Sequence, residues 1–170
     1  MSAAPRRRTA LAAVLALGLG ACAGRGIVEG VYHAPSGYRI TLPGTVWEVA
    51  PDSRADLELR HRTAPAGMLV NALCDPAVAR RADDVLAQHL LLGMRDRRVM
   101  EVNEAPVNGR AASHRLLEGR MRQSDEVVRV ESYTLKGARC VYDLLYVAAP
   151  DAFDTWRSDF QRFVDSFAGQ

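Results

Sequence analysis

An aromatic stripe near the carboxyl end constrains the possible folds of this chain more than any other feature of its sequence. Large apolar residues recur there at spacings of three, four, three, one and three: Phe153, Trp156, Phe160, Phe163, Val164 and Phe167. This spacing predicts an amphipathic helix whose apolar face packs on a sheet, with Asp151 as its N-cap. Cofactor stacking or partner binding is a weaker interpretation, because the opposite face of the same helix is polar.

The sheet is predicted from a series of alternating or apolar segments before that helix. They cover residues 37–44, 46–51, 57–62, 66–74, 99–107, 110–121, 126–137 and 139–150. The first two flank Gly44-Thr45 and are expected to form a short hairpin. Asn108-Gly109 predicts a type I′ turn between two long strands, since both residues tolerate a positive φ. The last segment is apolar almost throughout, which is typical of a central strand covered on both faces.

One further helix is predicted over residues 82–96, where apolar residues recur at threes and fours. His89 falls on its apolar face and is interpreted as a core histidine. Asp143 lies inside the apolar segment 139–150, where a carboxylate must find a partner, face water or shift its pKa upward. Alternation favours a wetter face of the strand for Asp143 over a functional site. Together these elements predict an α+β domain with a mainly antiparallel sheet and helices packed on it.

The amino-terminal segment has the three-part layout of a secretory signal. Arg6–Arg8 precede a twelve-residue apolar run from Ala10 to Ala21, which is much shorter than the ~20 residues that cross a membrane. Residues 1–21 are therefore expected to be a cleaved signal peptide. A plain secretory signal is the alternative to the lipoprotein signal described next.

Leu19-Gly20-Ala21-Cys22 resembles the lipobox of bacterial lipoproteins. The resemblance implies that the Cys22 thiol is lipidated, that the chain is cut before it and that the new amino terminus is acylated as well. Several acyl chains on one residue anchor a protein stably, whereas one chain is marginal. We therefore expect Cys22 to tie the protein to a membrane of the bacterial envelope. Ala23 after the cysteine resembles lipoproteins that are sent to the outer membrane.

Composition and charge indicate how the rest of the chain is organised and which partners it can bind. Residues 22–36 carry glycines and a proline with little periodicity, so we expect a flexible tether there, followed by a single domain over residues 37–170. The whole chain has 22 Lys+Arg and 20 Asp+Glu, but three arginines leave with the leader, so 19 basic residues face 20 acidic ones. This near balance, without a basic stripe interleaved with aromatics, argues against nucleic acid as a partner.

Beyond the predicted lipidation site the sequence has two cysteines, Cys74 and Cys140. The bacterial envelope is oxidising, so a Cys74–Cys140 disulfide is predicted. Two separately buried thiols are the alternative, and a Cys/His hydrolase site with His61, His89 or His114 is a third and weaker one.

Several segments resemble the PsbP-like superfamily: GYRITLPGTVWEVAP, APVNGRAASHRL, VESYTLKGARCVYDLLYVAAP and the ending FDTWRSDFQRFVDSF. This superfamily includes the PsbP protein of photosystem II, a Ran-binding nuclear-transport factor and bacterial envelope lipoproteins of the DcrB type. The resemblance covers about residues 36–168 and implies an α/β/α sandwich. It implies no catalytic residue, because the members share a fold and no common active site.

Motifs that would indicate enzyme chemistry do not occur in the sequence: HExxH, GxSxG, a Walker loop and CxxC. We therefore expect no enzyme activity, metal or cofactor. The favoured prediction is a noncatalytic envelope lipoprotein on the periplasmic face of the outer membrane that binds or stabilises another envelope protein. The alternative is a carrier or sensor of a small ligand, which an apolar cavity would favour and a core filled by Trp156, Phe160 and Phe163 would disfavour.

Overall fold

The computed structural model describes residues 26–80 and 93–169. Their strands and helices are β1 (Ile27–Val28), β2 (Val31–His33), β3 (Arg39–Thr41), β4 (Trp47–Val49), β5 (Leu57–His61), β6 (Ala66–Leu73), α1 (Pro76–Ala79), β7 (Met94–Val107), β8 (Arg110–Met121), β9 (Val127–Lys136), β10 (Val141–Ala148) and α2 (Phe153–Asp165). The strands form a large and a small sheet, so the described part of the chain is mainly antiparallel β-structure, as predicted.

The large sheet has seven described strands in the order β4-β5-β6-β10-β9-β8-β7, with every neighbouring pair antiparallel. β10 occupies the middle, where Leu144 pairs with Val70 of β6 and with Tyr133 of β9. The prediction of a central strand is confirmed: β10 is paired on both sides, and its face with Tyr142, Leu144 and Tyr146 is fully buried.

The turn between β7 and β8 also matches its prediction. Asn108 and Gly109 have φ values of 47° and 76°, as a two-residue hairpin turn with both central residues at positive φ requires. β7 and β8 pair along their length, from Val107 opposite Arg110 beside the turn to Met94 opposite Met121 at the far end. Register irregularities occur in the first half of β7. β7 to β10 thus form the predicted meander.

The small sheet corrects the prediction of a flexible tether over residues 22–36. Residues 27–28 and 31–33 form β1 and β2, and β3 completes this sheet. Tyr32 is buried and pairs with the fully buried Ile40, so burial of these two side chains holds the segment in place. The structured domain begins within the predicted tether, and residues 22–25 lie outside the described residues.

The expected hairpin across Gly44-Thr45 is wrong. β3 pairs with β2, whereas β4 pairs with β5 in the large sheet. Leu42 donates its backbone N–H to the Gly30 carbonyl at 2.8 Å, so the end of β3 remains bound to the small sheet. The chain between β3 and β4 therefore passes from one sheet to the other.

Helix α2 packs on the large sheet through the predicted aromatic stripe. Phe153, Phe160 and Phe163 are fully buried, and the rings of Phe160 and Tyr146 of β10 stack with centroids 5.4 Å apart. The Tyr146 hydroxyl also donates to the Phe153 carbonyl at 3.0 Å. The interface between this helix and the sheet is therefore a filled core.

The start of α2 differs from its prediction. Ala152 occupies the N-cap position and no side chain caps the helix, so the assignment of Asp151 as N-cap is wrong. The Ala152 N–H donates to the Ala149 carbonyl at 3.0 Å, which makes a backbone turn at the helix entry. Asp154 lies in the first turn, where its charge favours the positive end of the helix dipole.

Most of the helix predicted over residues 82–96, including His89, lies outside the described residues. Its last residues belong to β7, which starts at Met94. Met94 is buried and packs with Leu117 and Val130. Its apolar side chain therefore packs in the core beside the sheet and not on a helix face. Within residues 26–80 and 93–169, no helix has the length and apolarity needed to cross a membrane.

A disulfide joins Cys74 and Cys140 with an S–S distance of 2.01 Å, across 66 positions of sequence. Cys74 follows β6 and Cys140 precedes β10, directly beside the pair formed by Leu73 and Val141. The disulfide therefore covalently links the two strands where their pairing begins. The prediction of this bond is confirmed, and the alternative of two separate thiols is excluded.

Removing the disulfide should lower the stability of the folded protein. We expect Cys74→Ser combined with Cys140→Ser to reduce the free energy of unfolding by about 4 kcal/mol, the chain-entropy value for a loop of this length. Urea unfolding of the variant and of the oxidised wild type measures the difference, with the reduced wild type as a control. Equal midpoints for all three proteins would contradict the expectation.

Asp143 lies on β10 and is 3% exposed, so its predicted location on a wetter face is wrong. Thr134 of β9, directly opposite in the register, donates its hydroxyl to Asp143 Oδ1 at 2.8 Å. Burial raises the pKa of Asp143 to about 6, and the Thr134 hydrogen bond opposes that rise. Folding therefore costs more when Asp143 is charged than when it is protonated.

The raised pKa predicts how stability depends on pH at this residue. The folded state binds the Asp143 proton more tightly than the unfolded state, so this group lowers stability as pH rises from about 4 to about 6. We expect Asp143→Asn to be more stable than wild type by up to roughly 3 kcal/mol at pH 7.5 and equal at pH 3.5. Urea unfolding at both pH values tests this, with the exposed Asp151→Asn as control. A constant difference across pH would be inconsistent with a titrating Asp143.

Candidate functional site

A cavity of about 770 Å³ lies between the small sheet and the β4–β5 end of the large sheet. One wall is formed by residues 26–27, 32–33 and Pro35, and the other by residues 49–51, 53 and 55–58. Most of these side chains are apolar. The volume falls within the range of ~300–1,000 Å³ that is usual for small-molecule sites.

Asp56 holds the two walls of this cavity together. Its carbonyl accepts a hydrogen bond from the Tyr32 hydroxyl at 2.9 Å, and its Oδ2 accepts one from the Tyr38 hydroxyl at 3.1 Å. The backbone N–H of Ala72 in β6 donates to the same Oδ2 at 3.1 Å. Asp56 immediately precedes β5, so this residue connects the small sheet to two strands of the large one.

The two tyrosines remain hydrogen-bond donors at physiological pH. Burial raises the pKa of Tyr38, and the negative charge of Asp56 raises it further. Burial and then the Asp56 charge also raise the pKa of Tyr32. Neither phenol ionises at physiological pH, so the hydrogen bonds that join the two walls of the cavity persist at that pH.

Two of the polar residues that line the cavity are acidic. Asp56 and Glu58 both line it, together with His33 and Ser53, whereas no Lys or Arg is among its described lining residues. Glu58 accepts a hydrogen bond from Arg60 Nε at 3.0 Å. Among the described residues, no such basic partner binds Asp56. The cavity is therefore an apolar space with a negative charge at its wall.

A second cluster of polar groups is buried beside α2. Glu131 of β9 is fully buried, and Arg157 of α2 donates to both of its oxygens, at 2.9 Å from Nε and 2.8 Å from Nη2. His114 Nε2 lies 2.9 Å from Glu131 Oε1, and its Nδ1 lies 2.7 Å from Asn103 Oδ1. Through its two ring nitrogens, His114 links Glu131 to Asn103 of β7.

Opposing effects act on the pKa of Glu131. Burial alone would raise it, but hydrogen bonds from His114 and Arg157, together with their charges, lower it below the ordinary value. The cluster joins β7, β8, β9 and α2, and Glu131 and His114 are both buried. We interpret it as a structural ion pair, which stabilises the docked helix as long as every charge keeps its partner.

The histidine–cysteine hydrolase suggested by the sequence is not supported. Both sulfurs of Cys74 and Cys140 belong to the disulfide, and no thiolate nucleophile forms without a free thiol. His61 Nδ1 accepts backbone N–H bonds from Thr63 at 3.3 Å and Ala64 at 2.9 Å. In the described segments, no three His, Cys, Asp or Glu side chains converge in a way that could hold a metal ion.

The predicted functional residues and the observed site barely overlap. Cys22 lies outside the described residues, and the disulfide of Cys74 and Cys140 is structural. Asp56 was not predicted, because an aspartate before a strand is a common loop residue. Glu131 was not predicted either, although a glutamate between buried neighbours on a strand is a signal that a partner must exist.

Breaking the buried cluster should weaken the fold without touching the cavity. We expect Glu131→Gln to lower the free energy of unfolding at pH 7 by about 3 kcal/mol, because the Arg157 guanidinium loses its buried carboxylate partner. The pKa of Glu131 is lowered in the folded state, so its contribution is present above the ordinary value of 4.5 and is lost as pH falls through the lowered value. The gap to wild type should therefore shrink in acid. Urea unfolding between pH 3 and 7 tests this, with the exposed Glu104→Gln as control, and a gap that widens in acid would refute it.

No family model matches this chain, and no curated protein matches it. Solved structures do. The solution structure of cyanobacterial PsbP (CyanoP) from Synechocystis sp. PCC 6803 aligns with a TM-score of 0.57 and 18% identity, over 89% of this chain and 99% of that one. LpqN, involved in cell envelope biogenesis of Mycobacterium tuberculosis, aligns with a TM-score of 0.53 and 18% identity, over 79% and 84% of the two chains.

A third similar structure is PA94 from Pseudomonas aeruginosa, a protein of unknown function, with a TM-score of 0.52 and 10% identity over 73% of this chain and 81% of that one. At these identities the similarity concerns the backbone arrangement alone. The described domain therefore has a PsbP-like fold, as the resemblance of its sequence segments implied, and its function must be argued from its own residues.

Proposed function

We propose that this chain is a noncatalytic lipoprotein of the bacterial envelope, anchored by acylated Cys22 on the periplasmic face of the outer membrane, whose domain binds another envelope protein. The observation that carries the proposal is the exposed edge of the large sheet. β7 is fourteen residues long, and among the described strands it pairs with β8 only. An edge of this kind can accept an added strand from a partner.

Side chains on β7 support a binding role for this edge. Val99, Met100 and Val102 are 58%, 42% and 53% exposed. Val99 pairs with Leu117 and Val102 with Arg115. Because these two partners lie two residues apart on the same face of β8, Val99 and Val102 also share one face of the sheet. The register irregularities lie before Glu101, so the regular part of the edge is residues 101–107. Exposed apolar side chains beside a regular, unpaired edge are typical of an interaction surface.

The fold supports the envelope part of the proposal only by analogy. LpqN, which has a similar fold, is described as involved in cell envelope biogenesis, and the lipobox-like segment ending at Cys22 suggests the same compartment for this chain. A disulfide is also compatible with an oxidising envelope. These points favour export, and the β7 edge suggests what the exported domain does there.

A small-ligand carrier is the second candidate function, because the cavity beside Asp56 favours it. The interface between α2 and the large sheet is filled by Phe160 and Phe163, so a ligand would not enter there. The cavity between the two sheets is a separate space with a suitable volume. Carrying a ligand and binding a protein at β7 are compatible, since the two sites lie at opposite edges of the sheet.

Crosslinking in living cells followed by copurification and mass spectrometry tests the binding role. We expect one dominant partner with the wild type and its loss with Cys22→Ser, because the unanchored chain leaves the membrane surface. Val102→Lys should also reduce that partner several-fold while keeping the anchor, because the exposed valine sits on the proposed binding edge.

The matched control is Val46→Lys, at a 40% exposed valine outside the described strands. Intact mass of the detergent-extracted protein checks the anchor directly. A mature chain without acyl mass would refute the anchoring, and equal recovery of the partner with Val102→Lys would refute the β7 edge as its binding site.

A further inference from the structure

The cavity between the two sheets has features that select one class of ligand. Its walls are mostly apolar, with Ile27, Val49 and Leu57 among the lining residues. An apolar chain placed there would be removed from water on two sides, which is the main source of affinity for such ligands. The apolar part of the ligand is thus set by the walls.

The polar part of the ligand is set by Asp56. Its Oδ2 is engaged by Tyr38 and Ala72, and neither bond uses Oδ1. No Lys or Arg lines the cavity among the described residues, so a carboxylate or phosphate placed there would meet like charge without a compensating cation. A neutral or cationic head group that donates hydrogen bonds matches the wall instead.

The position of the cavity in the chain points to a source for such a ligand. Gly26 lines the cavity and is the fourth residue after Cys22. Four extended residues span at most ~14 Å, so an acylated Cys22 would keep this wall close to the bilayer surface. Amphiphiles partition into that surface, and the cavity would meet them there.

We propose that the cavity between the small sheet and the β4–β5 strands binds an amphiphile with an apolar chain and a neutral or cationic, hydrogen-bond-donating head group recognised by Asp56. The proposal deepens the ligand-carrier function proposed above, and it does not depend on the β7 edge. It assigns specificity to one carboxylate. Fatty acids and other anionic amphiphiles are the ligands it excludes.

The test compares two probes of equal chain length, dodecylammonium and dodecanoate. The mature chain from residue 22 to residue 170 carrying Cys22→Ser is used, because it bears neither the apolar signal segment nor an acyl chain and needs no detergent. Calorimetric titration below the micelle concentration measures both affinities. We expect saturable binding of one dodecylammonium per chain, and at least tenfold weaker binding of dodecanoate.

Two variants separate charge recognition from nonspecific adsorption. Asp56→Asn keeps an acceptor for Tyr38 and Ala72 but removes the charge, and it should weaken dodecylammonium about tenfold while the unfolding midpoint stays near that of the parent. Ala55→Trp, at a cavity-lining position, should abolish binding of both probes by filling the space. Glu104→Gln on β7 removes an equal charge elsewhere and should leave binding unchanged.

Each of three outcomes would overturn the proposal. These are no saturable binding of either probe, equal affinity of dodecanoate, and an unchanged dodecylammonium affinity in Asp56→Asn. Val102→Lys should not change the affinity for either probe, even if it abolishes the crosslinked partner, because Val102 lies on the opposite edge of the sheet. The failure of the ligand site and that of the protein-binding edge are therefore distinguishable.

Discussion

The insertion of β10 between β6 and β9 is the interaction on which the rest of the structure depends. This strand pairs along its whole length on both sides, from Val141 to Ala148. It joins the earlier strands β4–β6 to the later strands β7–β9, and its Tyr146 contacts the aromatic face of α2. The disulfide to Cys74 fixes its first residues beside β6. Without this pairing the chain would form two separate strand groups, each with an exposed apolar edge.

The sequence predicts the second half of the domain better than the first, for a physical reason. β7 to β10 are long strands with local turns, such as Asn108-Gly109, so alternation and turn chemistry are sufficient to locate them. β1, β2 and β3 have only two or three residues each, which is too short for periodicity to appear. They are held by distant contacts, including the backbone bonds between Arg39 and Ala168 at 2.9 Å. Local patterns carry no information about such a pairing, so the segment that contains β1 and β2 resembled a tether.

The residues of the candidate site also depend on distant partners, so the sequence did not predict them. Asp56 acquires its role from Tyr32 and Ala72, which lie 24 and 16 positions away. Glu131 is paired with Arg157, 26 positions further along the chain. A polar residue whose partners are brought by tertiary folding looks like an ordinary loop or strand residue in the sequence. Only the cysteine pair was predictable, because the number of cysteines and the expected compartment limit the possible partners.

The arrangement of the two sheets relates the cavity to the proposed anchor and to the proposed binding edge. The small sheet contributes the chain closest to Cys22 and one wall of the cavity, so the proposed ligand site is necessarily near the proposed membrane anchor. Asp56 ties that wall to β6 through Ala72, and β6 adjoins the central strand β10. β7 lies at the far edge of the same sheet. In the proposed arrangement the sheet holds an amphiphile near the membrane at one edge and presents its opposite edge to a protein. In this proposal, binding of the amphiphile does not change the conformation of β7. Binding of the amphiphile and binding of the protein partner are then coupled only because both occur on the same anchored domain.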